Sequence, residues 1–128
     1  MLLPITVRGI IATAVASLDR KAPVIDKPVT SLDRDAGVAT VALRGEVDVL
    51  NVDQVRVALV EALETRPSAL VVDLSELSFI DSTGLGAIIF GFQRARDEGI
   101  GFQLSRPTRG VHQILVLSGV LEVVELTP

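Results

Sequence analysis

The chain has 128 residues, 48% of them hydrophobic, a formal net charge of −4, no cysteine, and four Phe with no Trp or Tyr. That length suits one domain with one core, here necessarily aliphatic. The lack of aromatic platforms and of any basic run argues against nucleic-acid binding, and the lack of cysteine excludes disulfides, thiol nucleophiles and thiolate metal sites. No uninterrupted apolar run approaches the roughly 20 residues that cross a bilayer. Met1–Ser17 is apolar like a signal peptide, but Arg8 breaks its apolar stretch and no basic segment precedes it, so a cytoplasmic protein without membrane attachment is expected.

Residues 1–22 carry Leu3, Val7, Ile10, Ala14 and Leu18 at helical spacing, yet they are dense in β-branched residues and interrupted by Gly9. Both a helix and a strand stay open for this N-terminal extension. Pro23 and Pro28 suggest a linker into a first edge strand at about 24–32, because proline is tolerated on an edge. Residues 33–37 are a turn signal, Val38–Leu43 alternates as a strand, and Arg44-Gly45-Glu46-Val47-Asp48 reads as a loop. A helix with Val52, Val55, Ala58, Leu59, Ala62 and Leu63 on one face follows, with Asn51 and Gln54 spaced as a capping box and Arg66-Pro67 at its end.

Ala69–Leu74 is nearly all apolar, as expected of a strand covered on both faces. Phe79-Ile80-Asp81-Ser82-Thr83-Gly84-Leu85-Gly86 then hands a strand over to a helix, with the Ser82 or Thr83 hydroxyl placed to cap it. Leu85, Ile88, Ile89, Phe92 and Ala95 mark that helix's apolar side and Gly99 its end. Two glycines in a first helical turn suggest that something approaches the backbone closely. A strand over 100–105, a helix over 107–118 with Val111, Ile114, Leu115 and Leu117 apolar, and a strand over 121–126 complete the order β-β-α-β-α-β-α-β. Strands alternating with helices predict an α/β fold on a mixed, mostly parallel sheet, comprising residues 23–128 after the extension at 1–22.

The pattern resembles the STAS family, and within it the bacterial anti-sigma factor antagonists. The residues that carry the likeness are Gly45-Glu46-Val47-Asp48, Val71-Val72-Asp73-Leu74-Ser75 and Phe79 through Gly86, with Pro107 opening the third helix and Leu117-Ser118-Gly119-Val120 closing it. The resemblance covers roughly residues 25–126. Family members often carry one more helix after the last strand, which has no counterpart before Pro128. The extension at 1–22 is expected to cover the sheet face that helix would occupy, unless a second copy does so.

The resemblance implies partner switching. The unphosphorylated antagonist binds an anti-sigma factor that is also a serine kinase and so frees a sigma factor; phosphorylation ends the binding, and a serine phosphatase restores it. It places the phosphoacceptor at Ser82, with Asp48, Asp81, Thr83, Gly84, Leu85 and Gly86 forming the docking surface and Asp48 near Ser82. A phosphate at a helix N-terminus would meet free N–H groups, and the glycines would give a kinase clearance. The implied protein is a non-enzymatic, cofactor-free regulator, monomeric or weakly dimeric, acting in stress response or sporulation. The residues agree on catalysis: His112, the single histidine, lies far from Ser82 in the chain, and there is no metal-ligand cluster or phosphate-cradling loop. By itself, Asp81-Ser82-Thr83 also reads as a plain helix cap. A subunit of a transport or stress-signalling complex is the alternative function within the same family.

Overall fold

The structure, a computed structural model, describes the backbone of residues 5–7, 10–14 and 37–127, and the side chains of residues 37–127. In chain order the elements are β1 (Ile5–Val7), β2 (Ile10–Ala14), β3 (Val38–Val47), α1 (Val52–Glu64), β4 (Ala69–Ile80), α2 (Ser82–Asp97), β5 (Gly101–Ser105), α3 (Arg109–Ser118), a short 3₁₀ turn (Val120–Glu122) and β6 (Glu125–Thr127). They build one sheet in the order β1-β2-β3-β4-β5-β6. β1 to β3 pair antiparallel, and β3 to β6 pair parallel. The expected α/β fold is what forms.

Each parallel pair is joined by a helix, and each new strand is added on the same side of the last. Crossovers of the usual right hand then stack the helices on one face. Ala39, Val41, Leu43, Leu70, Val72, Leu74, Phe102 and Leu104 are buried and share one cluster with the apolar stripes of α1, α2 and α3. All six α1 residues expected on one face are buried. The core is aliphatic save for Phe102, whose ring meets that of Phe92 edge to face at 6.1 Å.

Several expectations from sequence are corrected. β4 is not covered equally on both faces: Leu70, Val72 and Leu74 are buried while Val71, Asp73 and Ser75 between them are half-buried. A polar residue is tolerable there because Asp73 accepts from Ser75 N at 2.9 Å and from the Arg106 guanidinium at 2.7 Å. Residues 44–47 are strand, not loop, because β4 runs on to Ile80 and pairs with them through irregularities at Ala42/Arg44 and Gly45/Glu46. Gly45 supplies the positive φ of 79° at that place.

Leu117 is 84% exposed, whereas Val111 and Leu115 alone in α3 are fully buried. The last strand shrinks to Glu125–Thr127 because the 3₁₀ turn takes up residues 120–122. Asn51 and Gln54 form no capping box; the Asn51 side chain braces the loop before α1 instead. Of the extension, β1 and β2 lengthen the sheet sideways beyond β3 and do not lie over its face. The edge strand expected at 24–32 lies outside the described residues. No helix among the described residues is long and apolar enough to cross a membrane.

Candidate functional site

Parallel strands bring their C-terminal ends, and the loops that follow, to one edge of the sheet. There β3 ends at Val47 and β4 at Ile80, paired in register, so Asp48 and Asp81 follow directly from neighbouring strand ends. Asp81 N donates to Val47 O at 3.1 Å, which ties the two loops together. Because the described parallel strands never reverse direction across the sheet, no topological crevice opens at this edge.

Asp81, not Ser82 or Thr83, is the N-cap of α2. Its backbone is extended (φ −100°, ψ −174°), and its carboxylate accepts from Gly84 N at 3.0 Å and from the Thr83 hydroxyl at 2.6 Å. The backbone N–H groups of Thr83 and Val49 lie near enough to the same carboxylate to favour its charged form. The Thr83 hydroxyl above all holds the Asp81 pKa below the ordinary carboxylate value; burial, next in size, works against it, and the backbone N–H groups of Gly84, Thr83 and Val49 add to the lowering. One carboxylate thus fixes the start of α2 and reaches across to the β3–α1 loop.

Ser82 begins the helix and is exposed, and among the described residues none shares a hydrogen bond with its hydroxyl. Thr83 is half-buried and engaged by Asp81. The two hydroxyls are therefore inequivalent, one presented to solvent and one consumed internally. Of the N–H groups expected beneath a phosphate, that of Gly84 already serves Asp81.

The glycines divide in the same way. A Cβ on Gly84 would stand 2.6 Å from Ile80 Cγ1 and 2.8 Å from Val47 Cγ1, so what approaches Gly84 is this domain's own core. A Cβ on Gly86 would meet nothing within 4 Å, which leaves room for a partner at this exposed position. Leu85 is half-buried against the core.

Asp48 is half-buried; its carboxylate accepts from Leu50 N at 3.0 Å, and its carbonyl accepts from Asn51 N and Val52 N at 3.1 and 3.0 Å. Val49 and Leu50, 65% and 68% exposed, and Phe79, 44% exposed, also lie at this edge. Val49 and Leu50 stand outside the site residues expected from sequence, although two consecutive apolar residues between Asp48 and Asn51 are a visible signal.

The cap makes a prediction. Asp81→Asn keeps a capping oxygen but removes the charge, so it isolates the electrostatic part of the cap. A carboxylate whose folded pKa is depressed contributes stability that is complete above its unfolded pKa of about 4 and is lost as pH falls through the folded value. Melting temperatures from pH 7 to pH 2 should show wild type above Asp81→Asn at neutral pH and converging with it below about pH 4. Asp73 should add to the same acid loss. Burial raises its pKa, but the Ser75 bonds and the Arg106 guanidinium outweigh that and lower it.

A sequence profile described as the STAS domain matches residues 30–128. The anti-sigma F factor antagonist of Paenibacillus polymyxa is 30% identical over 96 residues, 74% of this chain and 82% of its own length. The anti-sigma-B factor antagonist of Listeria monocytogenes is 31% identical over 94 residues, 71% of this chain and 82% of its own. Among solved structures, an anti-sigma factor antagonist from Mycobacterium paratuberculosis superposes with a TM-score of 0.66 at 26% identity, covering 72% of this chain and 78% of its own. With that profile over most of its length, on the parallel sheet and Asp-capped junction described above, the chain belongs to the STAS-domain family.

Proposed function

We propose that this protein is an anti-sigma factor antagonist that works by partner switching, with Ser82 as the phosphoacceptor. The observation that carries the reading is the inequivalence of the two hydroxyls: Ser82 is exposed at the first position of α2, while Thr83 is tied to Asp81 at 2.6 Å. In the unphosphorylated form, the edge carrying Asp48, Asp81, Ser82, Thr83, Leu85 and Gly86 docks on an anti-sigma factor that is also a serine kinase. Gly84 contributes from beneath by letting the helix sit close on the strands.

In the transfer step the Ser82 hydroxyl oxygen bonds to the γ-phosphorus of ATP as the bond to ADP breaks. The serine proton passes to a base on the kinase, so this chain needs no base beside Ser82 and acts as substrate, not enzyme. A serine phosphatase hydrolyses the ester and resets the switch. Incubation with purified anti-sigma factor kinases and ATP, followed by mass-spectrometric mapping, is expected to place one phosphate on Ser82 and none on Thr83. Phosphate on Thr83, or recovery of a transporter ATPase in place of a kinase in pull-downs, would overturn this function.

A further inference from the structure

Resting on that partner-switching role, we propose that Val49 and Leu50 are an apolar anchor that seats in a hydrophobic pocket with basic side chains at its rim, on the anti-sigma kinase. Both residues are about two-thirds exposed, 65% and 68%, at the tip of the β3–α1 loop. Consecutive apolar side chains held out in water cost solvation until something covers them.

The loop that holds them is built in advance. Asn51, only 1% exposed, accepts from Asp48 N through its side-chain oxygen at 3.0 Å and donates its amide to Glu46 O at 2.9 Å. The Asp48 carboxylate takes Leu50 N at 3.0 Å, and Asn51 N and Val52 N both donate to Asp48 O at 3.1 and 3.0 Å. The backbone on both sides of the apolar pair is thus tied down, so docking orders little more than two short side chains. An apolar residue presented rigidly from a braced loop fits the binding hot spots that fill a partner's pocket.

The chemistry of the partner follows from the charges. From Glu46 to Arg56 the chain carries Glu46, Asp48 and Asp53 against one base, Arg56, which lies 3.7 Å from Asp53, and Asp81 stands near Val49. Glu46 and Asp53 are exposed. A pocket receiving Val49 and Leu50 is therefore flanked by acids, and basic side chains on its rim complement them. The nucleotide phosphates of the kinase then face Ser82, beside the anchor.

The test is calorimetric titration of the unphosphorylated full chain into each purified, ADP-loaded anti-sigma factor kinase of the source organism. Wild type is compared with Val49→Ser, Leu50→Ser and the double variant. Leu117→Ser, altering a residue 84% exposed on α3, is the control. Leu50→Ser is expected to weaken binding about tenfold or more and the double variant about a hundredfold, with the control within about twofold of wild type. Melting temperatures should stay near wild type, since the replaced side chains are exposed. Wild-type affinity should fall as salt rises, reporting the basic rim.

Wild-type affinity in both loop variants, or an equal loss in Leu117→Ser, would overturn the anchor while leaving partner switching in place. A flat salt response would overturn the basic rim. Failure of wild type to bind any kinase would instead overturn the partner-switching role, and the anchor with it.

Discussion

Ser82→Asp is expected to weaken binding to the anti-sigma kinase roughly a hundredfold or more, while Ser82→Ala binds at least as tightly as unmodified wild type and cannot be released by ATP. The physical reason lies in where the new charge goes. A phosphate adds about −1.5 to −2 charges. The helix N-terminus that would absorb it is already served by Asp81, whose carboxylate occupies the Gly84 N–H and the Thr83 hydroxyl. The added charge therefore projects toward whatever covers Ser82. A kinase site holding nucleotide phosphates there meets like charge on desolvated ground, which costs several kcal/mol. At about 1.4 kcal/mol per decade, roughly 3–4 kcal/mol produces the expected loss. Titration of both variants into the kinase measures it; equal affinities would show that charge at Ser82 is not the switch. Urea unfolding of both variants should remain close to wild type, because Ser82 is exposed and packs against nothing that the substitutions remove.

The second large effect is expected at Gly84. Gly84→Ala places a methyl 2.6 Å from Ile80 Cγ1 and 2.8 Å from Val47 Cγ1, both on buried side chains at the ends of β4 and β3. Overpacking of this kind costs about 1–3 kcal/mol, against a helix-propensity gain of at most about 1 kcal/mol for replacing glycine by alanine. The net loss should be about 1–2 kcal/mol, read as a lowered urea midpoint with the slope unchanged. Gly86→Ala separates packing from recognition. Nothing lies within 4 Å of its added methyl, so stability should rise by up to about 1 kcal/mol. If Gly86 gives the kinase clearance, the same variant loses affinity for it. A stabilised Gly84→Ala would mean that α2 can lift off the strand ends, and the shape of the Ser82 edge would then not be fixed by the core.

Much of this architecture was legible along the chain because the information is local. The α1 face from Val52 to Leu63 lies at the i, i+3, i+4 spacing of a helix packed on one side, and all six residues are buried. Gly99 ends α2 with φ +75°, and the bonds from Ile100 N to Ala95 O and from Gly99 N to Arg96 O close the helix as a glycine at that position allows. Gly119 ends α3 with φ +84° in the same left-handed region. The strand-to-helix junction at Asp81 was equally visible, since an acid and two hydroxyls between an apolar run and a helical pattern admit few other structures.

What the chain could not show by itself depends on which segments lie side by side. Whether Arg44 to Val47 is strand or loop is decided by β4 extending beneath it to Ile80. Leu117 fits an apolar helical pattern as well as Ile114 does, and only the placement of α3 leaves it 84% exposed while Ile114 packs partly against the core. At the site, three residues in a row could each cap α2, and local propensity does not choose among them. The extended backbone of Asp81, pinned by its bond to Val47 on the neighbouring strand, gives the cap to Asp81, ties up Thr83 and leaves Ser82 exposed. Sequence alone thus determined the order of elements, the faces of the helices and the place of the junction, because these are set by short-range pattern and turn chemistry. Tertiary structure decided the division of labour within the junction, because that rests on the contact of Asp81, between β4 and α2, with Val47 of β3, more than thirty residues earlier in the chain.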